Sequence, residues 1–167
     1  MSSEIINKVE QAGLITLDVN SLAPIDRRES IDLVNWLDDN MIIREASFRK
    51  KLNSFEWDDL KDSFVAVFCS KDIIVPPWAY LLIQTNLNRI AKQVFFCNLA
   101  TMNLLLFQQS LEKLDVEKYT NKRVFLKVCN DPNTPLCAIS MCAHILIPHV
   151  KSLFYGEPCS NVPLIKN

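Results

Sequence analysis

Glycine is nearly missing from this chain: Gly13 and Gly156 are the two in 167 residues. That scarcity excludes the G-x-G-x-x-G turn of a dinucleotide site and the G-x-x-x-x-G-K-[ST] loop of a P-loop, which both need glycine for backbone to approach phosphate. Histidine is as scarce, His144 and His149, and no G-x-S-x-G turn or paired-carboxylate motif accompanies them. A Ser-His-Asp or Cys-His enzyme therefore finds little support. Charge of one sign is also missing. With a formal net charge of −1 and no run of Lys and Arg, the chain has no general attraction for phosphate backbones or anionic lipid, so nucleic acid and membrane surfaces are excluded as partners. No uncharged apolar run reaches the ~18 residues of a membrane span. The opening MSSEIINKVEQAG is acidic and polar where a signal peptide needs a basic start and an apolar run. The expected location is the cytoplasm.

What is present is apolar mass, 49% of 167 residues, enough for one well-buried core. No linker rich in Pro, Gly or Ser interrupts it, and no repeat is visible. The expectation is a single α/β domain over 1–167 with an extended C-terminal tail, 155–167. Six cysteines in a reducing compartment read as thiols, thiolates or metal ligands instead of a disulfide framework.

Along the chain, Leu14–Val19 alternates as a half-exposed strand after Gly13. Ile31–Leu37 is read as a strand, turning at Asp38-Asp39-Asn40 into a second strand near Met41–Ile43. Phe48, Leu52 and Phe55 make one face of a short helix over Arg44–Phe55. Phe64–Cys69 is a continuous apolar run, as expected of a strand covered on both faces. Pro76 and Pro77 suit the first turn of the following helix, whose inner face is Ala79, Ile83, Leu87, Ile90 and Ala91. A strand over Val94–Cys97 precedes a helix capped by Asn98 or Thr101, with Leu104, Phe107, Leu111 and Leu114 inward. In RVFLKVC, from Arg123 to Cys129, Val124, Leu126 and Val128 alternate with Arg123 and Lys127, which predicts a strand exposed on one face or lying at the sheet edge. Thr134-Pro135 reads as N-cap and first position of a last helix, with Leu136, Ile139, Ala143, Leu146, Val150 and Leu153 inward and a kink at Pro148.

Strand and helix alternate three times in this reading, the pattern of βαβ crossovers. The predicted fold is α/β: a parallel βαβαβα core with additional N-terminal strands, a mixed sheet flanked by helices. Strands of a parallel sheet end at one edge, where ligands bind. Cys69, Cys97 and Cys129 each close a strand, and Asp72 and Asp131 follow two of them closely. Thiolates mixed with carboxylates form a suitable first shell for zinc or iron. Cysteine also packs as a small hydrophobe, and no C-x-x-C pair occurs, so an inert core role stands beside the metal role, most of all for Cys97. Cys159, among Gly156, Glu157 and Pro158, has the most accessible context. A long last helix would carry it away from the strand ends, roughly 30 Å for a helix reaching Phe154. Cys142 and His149 share a helix face and Cys137 does not join them. Trp78 and Tyr80 open the first crossover helix, where packing is the plainer reading.

The segments CSKDIIVPPWAY, VFLKVCND and FYGEPCSNVPLIK, with the opening EIINKVEQAGLITLD, resemble a bacterial family known as domain of unknown function 2480, over nearly the whole chain. The family has no established activity. The resemblance implies an association with iron-sulfur cluster assembly components of the sulfur-mobilisation type, and hence such proteins as partners. It falls on Cys69, Cys129 and Cys159, the cysteines within the resembling segments. Three functions follow as expectations. The first is an accessory factor that binds zinc, iron or an iron-sulfur cluster through Cys69, Cys129 and Cys159, with Asp72 or Asp131 completing the shell. The second is a thiol or sulfur-transfer enzyme with Cys159 or Cys69 reactive. The third is a homo-oligomeric interaction module, a homodimer docked through Pro158–Ile165.

Overall fold

The structure, a computed structural model, describes residues 13–129 and 131–166. The opening stretch judged unsuited to a signal peptide lies, up to residue 12, outside the described residues. In chain order the elements are β1 (Leu14–Asp18), β2 (Arg28–Asp32), α1 (Glu45–Ser54), β3 (Phe64–Phe68), α2 (Pro77–Leu87), β4 (Gln93–Phe95), α3 (Leu99–Leu111), β5 (Arg123–Lys127), α4 (Cys137–Leu146), β6 (Ser152–Glu157) and β7 (Ser160–Lys166). The architecture is α/β, with helices flanking strands. Backbone contacts divide the chain into two compact units, Ile25–Met102 and the rest, so that the division falls inside α3. Each unit has its own sheet and core.

In the unit Ile25–Met102 the sheet order is β2-β3-β4, all parallel, with Arg28 opposite Phe64 and Phe64 opposite Gln93. The middle strand β3 is buried from Phe64 to Val67, which is why it reads as an unbroken apolar run. The strand placed over Ile31–Leu37 stops instead at Asp32. Its carboxylate accepts the Val34 N–H at 3.0 Å and caps a 3-10 turn over Leu33–Trp36. Asp39 and Asn40 do turn the chain, with φ of 51° and 58°, but the strand expected at Met41–Ile43 amounts to one antiparallel bridge, Asp38 to Ile42. Helix α1 buries Phe48 and Leu52, and α2 starts at Pro77 and buries Ala79, Ile83 and Leu87. These meet Ile31, Leu33, Val65 and Val67 in the core, where Trp36 lies 5.3 Å from Phe48 ring to ring. Burying a side chain such as Phe48 contributes about 1.5–3 kcal/mol.

The second unit holds a four-stranded sheet of order β1-β5-β6-β7. The first three strands are parallel and β6-β7 is an antiparallel hairpin. Strand β5, expected to be exposed on one face or to lie at an edge, lies between β1 and β6 with Val124, Phe125 and Leu126 buried. Its two charges, Arg123 and Lys127, sit at its ends and do not mark a solvent face. The last helix is shorter than its apolar spacing suggested. It begins at Cys137 and ends at Leu146, and Pro148, with no N–H to give, lies in the turn that follows. Its buried stripe is Ala138, Cys142 and Leu146, while Leu136 is 85% exposed. Leu153 is buried as a residue of β6, not of a helix.

The tail read as extended is this β6-β7 hairpin. Gly156 makes it possible: its φ is +110°, and a Cβ there would stand 2.5 Å from the Ser160 carbonyl oxygen. Cys69, Cys97 and Cys129, expected to close their strands, lie just past the ends of β3, β4 and β5, and these strands do not share one sheet, since β3 and β4 belong to one and β5 to the other.

Candidate functional site

The cysteines separate by burial. Cys142 is fully buried in the core of the second unit, and burial pushes its thiol up to about 12. Cys97 is half-buried, its thiol also raised by burial. Cys69, just past β3, is half-buried against the core of its unit. The phenol of Tyr80 nearby is raised by burial and then by the charge of Cys69. Tyr80 itself packs on Phe96, 5.2 Å between ring centres. Cys129, Cys137 and Cys159 are exposed.

Of the five candidate ligands, Cys69 and Asp72 follow β3 in one unit, whereas Cys129, Asp131 and Cys159 belong to the other. Among the described residues no group of three His, Cys, Asp or Glu is placed to hold a metal ion. Two carboxylates near these strand ends, Asp32 and Asp131, are already engaged. Asp32 accepts the Ser70 N–H at 3.0 Å as well as that of Val34. Burial acts to raise its pKa, but these hydrogen bonds outweigh it and hold the carboxyl below its usual value. Asp131 accepts the Asn133 N–H at 2.7 Å through its side chain and the Thr134 N–H at 3.1 Å through its carbonyl, which shapes the loop into α4.

The parallel pairing of β5 and β6 brings Cys129 and Cys159 to the same edge of the four-stranded sheet. Leu126 stands opposite Tyr155, and each cysteine lies just past the carboxyl end of its strand. The long helix that would have carried Cys159 away is absent, because the chain turns at Pro148 and returns as β6. Cys129 is held firmly. Asn20 Nδ2 donates to its carbonyl at 3.0 Å, and its N–H donates to Asn20 Oδ1 at 2.9 Å.

Beside this thiol opens a cleft of about 310 Å³ lined by Val128, Cys129, Asp131, Thr134, Leu136 and Tyr155 among others. Thr134 does not cap α4 as its position before Pro135 suggested. The residue flanking the helix is Leu136, with no side-chain cap, and Thr134 Oγ1 is shielded from solvent with no hydrogen-bond partner among the described residues. A larger cleft in the same unit, about 420 Å³, is lined by α3 and α4 and contains His144 but no thiol.

An ion pair crosses the edge. Lys127 Nζ lies 2.8 Å from Glu157 Oε1, and the Cys159 thiol approaches Glu157 Oε2 at 3.9 Å. The hydrogen bond and charge of Lys127 hold the Glu157 carboxyl below its usual range. Lys127 is raised in turn, first by Glu157 and then by the charge of Cys129. Sequence reasoning missed Asn20, Lys127 and Glu157. Asn20 reads as part of a turn, and nothing local signals a contact 109 residues away.

Among the described residues no helix is long and apolar enough to cross a membrane. No match is found among curated proteins or among solved structures. One family model, described as "Protein of unknown function (DUF2480)", matches residues 3–167. The chain belongs to that family.

Proposed function

We propose that this protein is a cysteine-based accessory factor of iron-sulfur cluster assembly that handles sulfur on one exposed thiol, Cys129. The observation that carries the reading is the grip of Asn20 on the Cys129 backbone at the carboxyl ends of the parallel strands β1, β5 and β6, beside a cleft that the exposed Cys129 lines. Such edges are where α/β proteins bind their ligands. The unmet hydroxyl of Thr134 offers a hydrogen bond to what enters.

A resident zinc, iron or iron-sulfur centre on Cys69, Cys129, Cys159, Asp72 and Asp131 fits less well, because the described residues place no three such donors together. The link to cluster assembly rests on the resemblance of the segments around Cys69, Cys129 and Cys159. Thiol chemistry is the form of it that this edge favours.

In the proposed step the Cys129 thiolate attacks the outer sulfur of a donor persulfide, R–S–SH. The S–S bond of the donor breaks, R–S⁻ leaves with the electron pair, and Cys129 becomes the persulfide. Transfer to an acceptor thiolate repeats the step in the other direction. Incubation with glutathione persulfide, followed by cyanolysis of bound sulfane sulfur, tests this. Near-stoichiometric uptake is expected, lost in Cys129→Ser with the circular dichroism spectrum unchanged. Equal uptake by Cys129→Ser would overturn the assignment.

A further inference from the structure

We propose that Cys129 and Cys159 form a dithiol pair in which Cys159 resolves a mixed disulfide made on Cys129, an inference that rests on the reading of Cys129 as the working thiol. Strands β5 and β6 are neighbours and parallel, with their register given by Val124 opposite Leu153 and Leu126 opposite Tyr155. β5 ends at Lys127 and β6 at Glu157; continued past these ends, the register sets Cys129 opposite Pro158, so Cys129 and Cys159 are diagonal neighbours, one residue out of step. Adjacent strands lie ~4.8 Å apart. A disulfide requires Cα atoms about 4.4–6.8 Å apart, the order of one interstrand step.

Charge ties the two ends together. The Lys127 to Glu157 contact at 2.8 Å bridges the strands, and Cys159 Sγ sits 3.9 Å from the other oxygen of the same carboxylate. Cys129 acts on the same ammonium. One ion pair thus stands between the two thiols, Cys129 near its ammonium and Cys159 against its carboxylate. Both cysteines are exposed, so each is open to a small disulfide. Cys159 occupies the turn between β6 and β7, with Pro158 beside it, both exposed, where a thiol can move towards its neighbour without unpacking the core.

The chemistry closes with a low-molecular-weight disulfide, R–S–S–R, as oxidant. Cys129 thiolate attacks one of its sulfurs, releasing R–S⁻ and leaving Cys129–S–S–R. Cys159 thiolate then attacks the Cys129 sulfur, releasing the second R–S⁻ and forming the Cys129–Cys159 bond. Two protein thiols are oxidised and the small disulfide is reduced to two thiols.

Treatment of the full chain with glutathione disulfide at low protein concentration, read by intact mass and peptide mapping, tests the pair. The wild type is expected to lose two hydrogens and yield a linked Cys129–Cys159 peptide. Cys159→Ser is expected to stop at the glutathione adduct on Cys129. An adduct on Cys129 that persists in the wild type as it does in Cys159→Ser, or a bond to another cysteine or a second chain, would overturn the pairing and leave Cys129 as the working thiol. No adduct on Cys129 in either protein would remove both readings.

Discussion

Asn20 and Cys129 extend the β1-β5 ladder by one rung that the backbone cannot make. The strands pair in register as far as Asp18 opposite Lys127, and then β1 passes into a 3-10 turn at Val19. The side-chain amide of Asn20 supplies both donor and acceptor to Cys129, at 3.0 and 2.9 Å, as a peptide group would. Replacing Asn20 by Ala should cost about 1 kcal/mol, the net worth of such bonds at an exposed site. Urea unfolding measures that cost. The sharper expectation is a fall in the rate of sulfur uptake at Cys129, with the alkylation rate of Cys137 unchanged; equal effects on both thiols would argue against a local grip.

Burial of Cys142 predicts an inert thiol. With no exposed surface and a pKa pushed up to about 12, it should resist alkylation in the folded protein and react only on unfolding. Cys142→Ser places a hydroxyl in the apolar core that Cys142 shares with Val124, Leu146 and Leu153 and should cost about 1–3 kcal/mol. Denaturant titration compares it with Cys142→Ala, which introduces no polar atom.

Substitution of Gly156 tests the hairpin that carries Cys159. Its φ of +110° and the 2.5 Å approach of the Ser160 carbonyl oxygen leave no place for a side chain. Gly156→Ala should lose about 1–3 kcal/mol, the usual cost of a strained backbone position. Loss of amide protection in Ser160–Lys166, with β1 and β5 still protected, is the expected pattern on hydrogen exchange.

The Lys127 to Glu157 pair predicts a pH window for the hairpin. Glu157 is held below its ordinary 4.5, so its contribution is present above that value and is lost as pH falls through the depressed pKa. Lys127 is raised above its ordinary 10.5, so its contribution is present below that value and is lost as pH rises through the raised one. The pair therefore works across neutral pH. In Lys127→Met the Glu157 carboxyl, followed by NMR, should titrate higher than in the wild type; an unmoved midpoint would contradict the contact.

The sequence made the strand starts at Leu14 and Phe64, the start of α2 at Pro77 and the α/β class legible, because apolar runs, proline positions and cap residues act locally. Asn98, named as a cap, does accept the Thr101 N–H at 2.9 Å. Longer-range choices were not legible. The apolar spacing from Leu136 to Leu153 fits one helix, yet Pro148 divides it into α4 and β6, whose Leu153 reaches the same core. Charges at the ends of β5 mimicked an exposed strand face. The chain also splits its strands between two sheets, and this depends on pairing that no local pattern records. For the candidate site, the resembling segments singled out Cys69, Cys129 and Cys159; Lys127 and Glu157 lie inside those segments but were not read as site residues, and Asn20 lies outside them.

The central claim is that one thiol, Cys129, receives the sulfur. Site-resolved mass spectrometry of all six cysteines, after brief exposure to a persulfide donor, measures it most directly. The account predicts that the peptide containing Cys129 carries the added sulfur first, ahead of exposed Cys137 and half-buried Cys69. Sulfur appearing on Cys69 or Cys137 at the same rate as on Cys129 would contradict it.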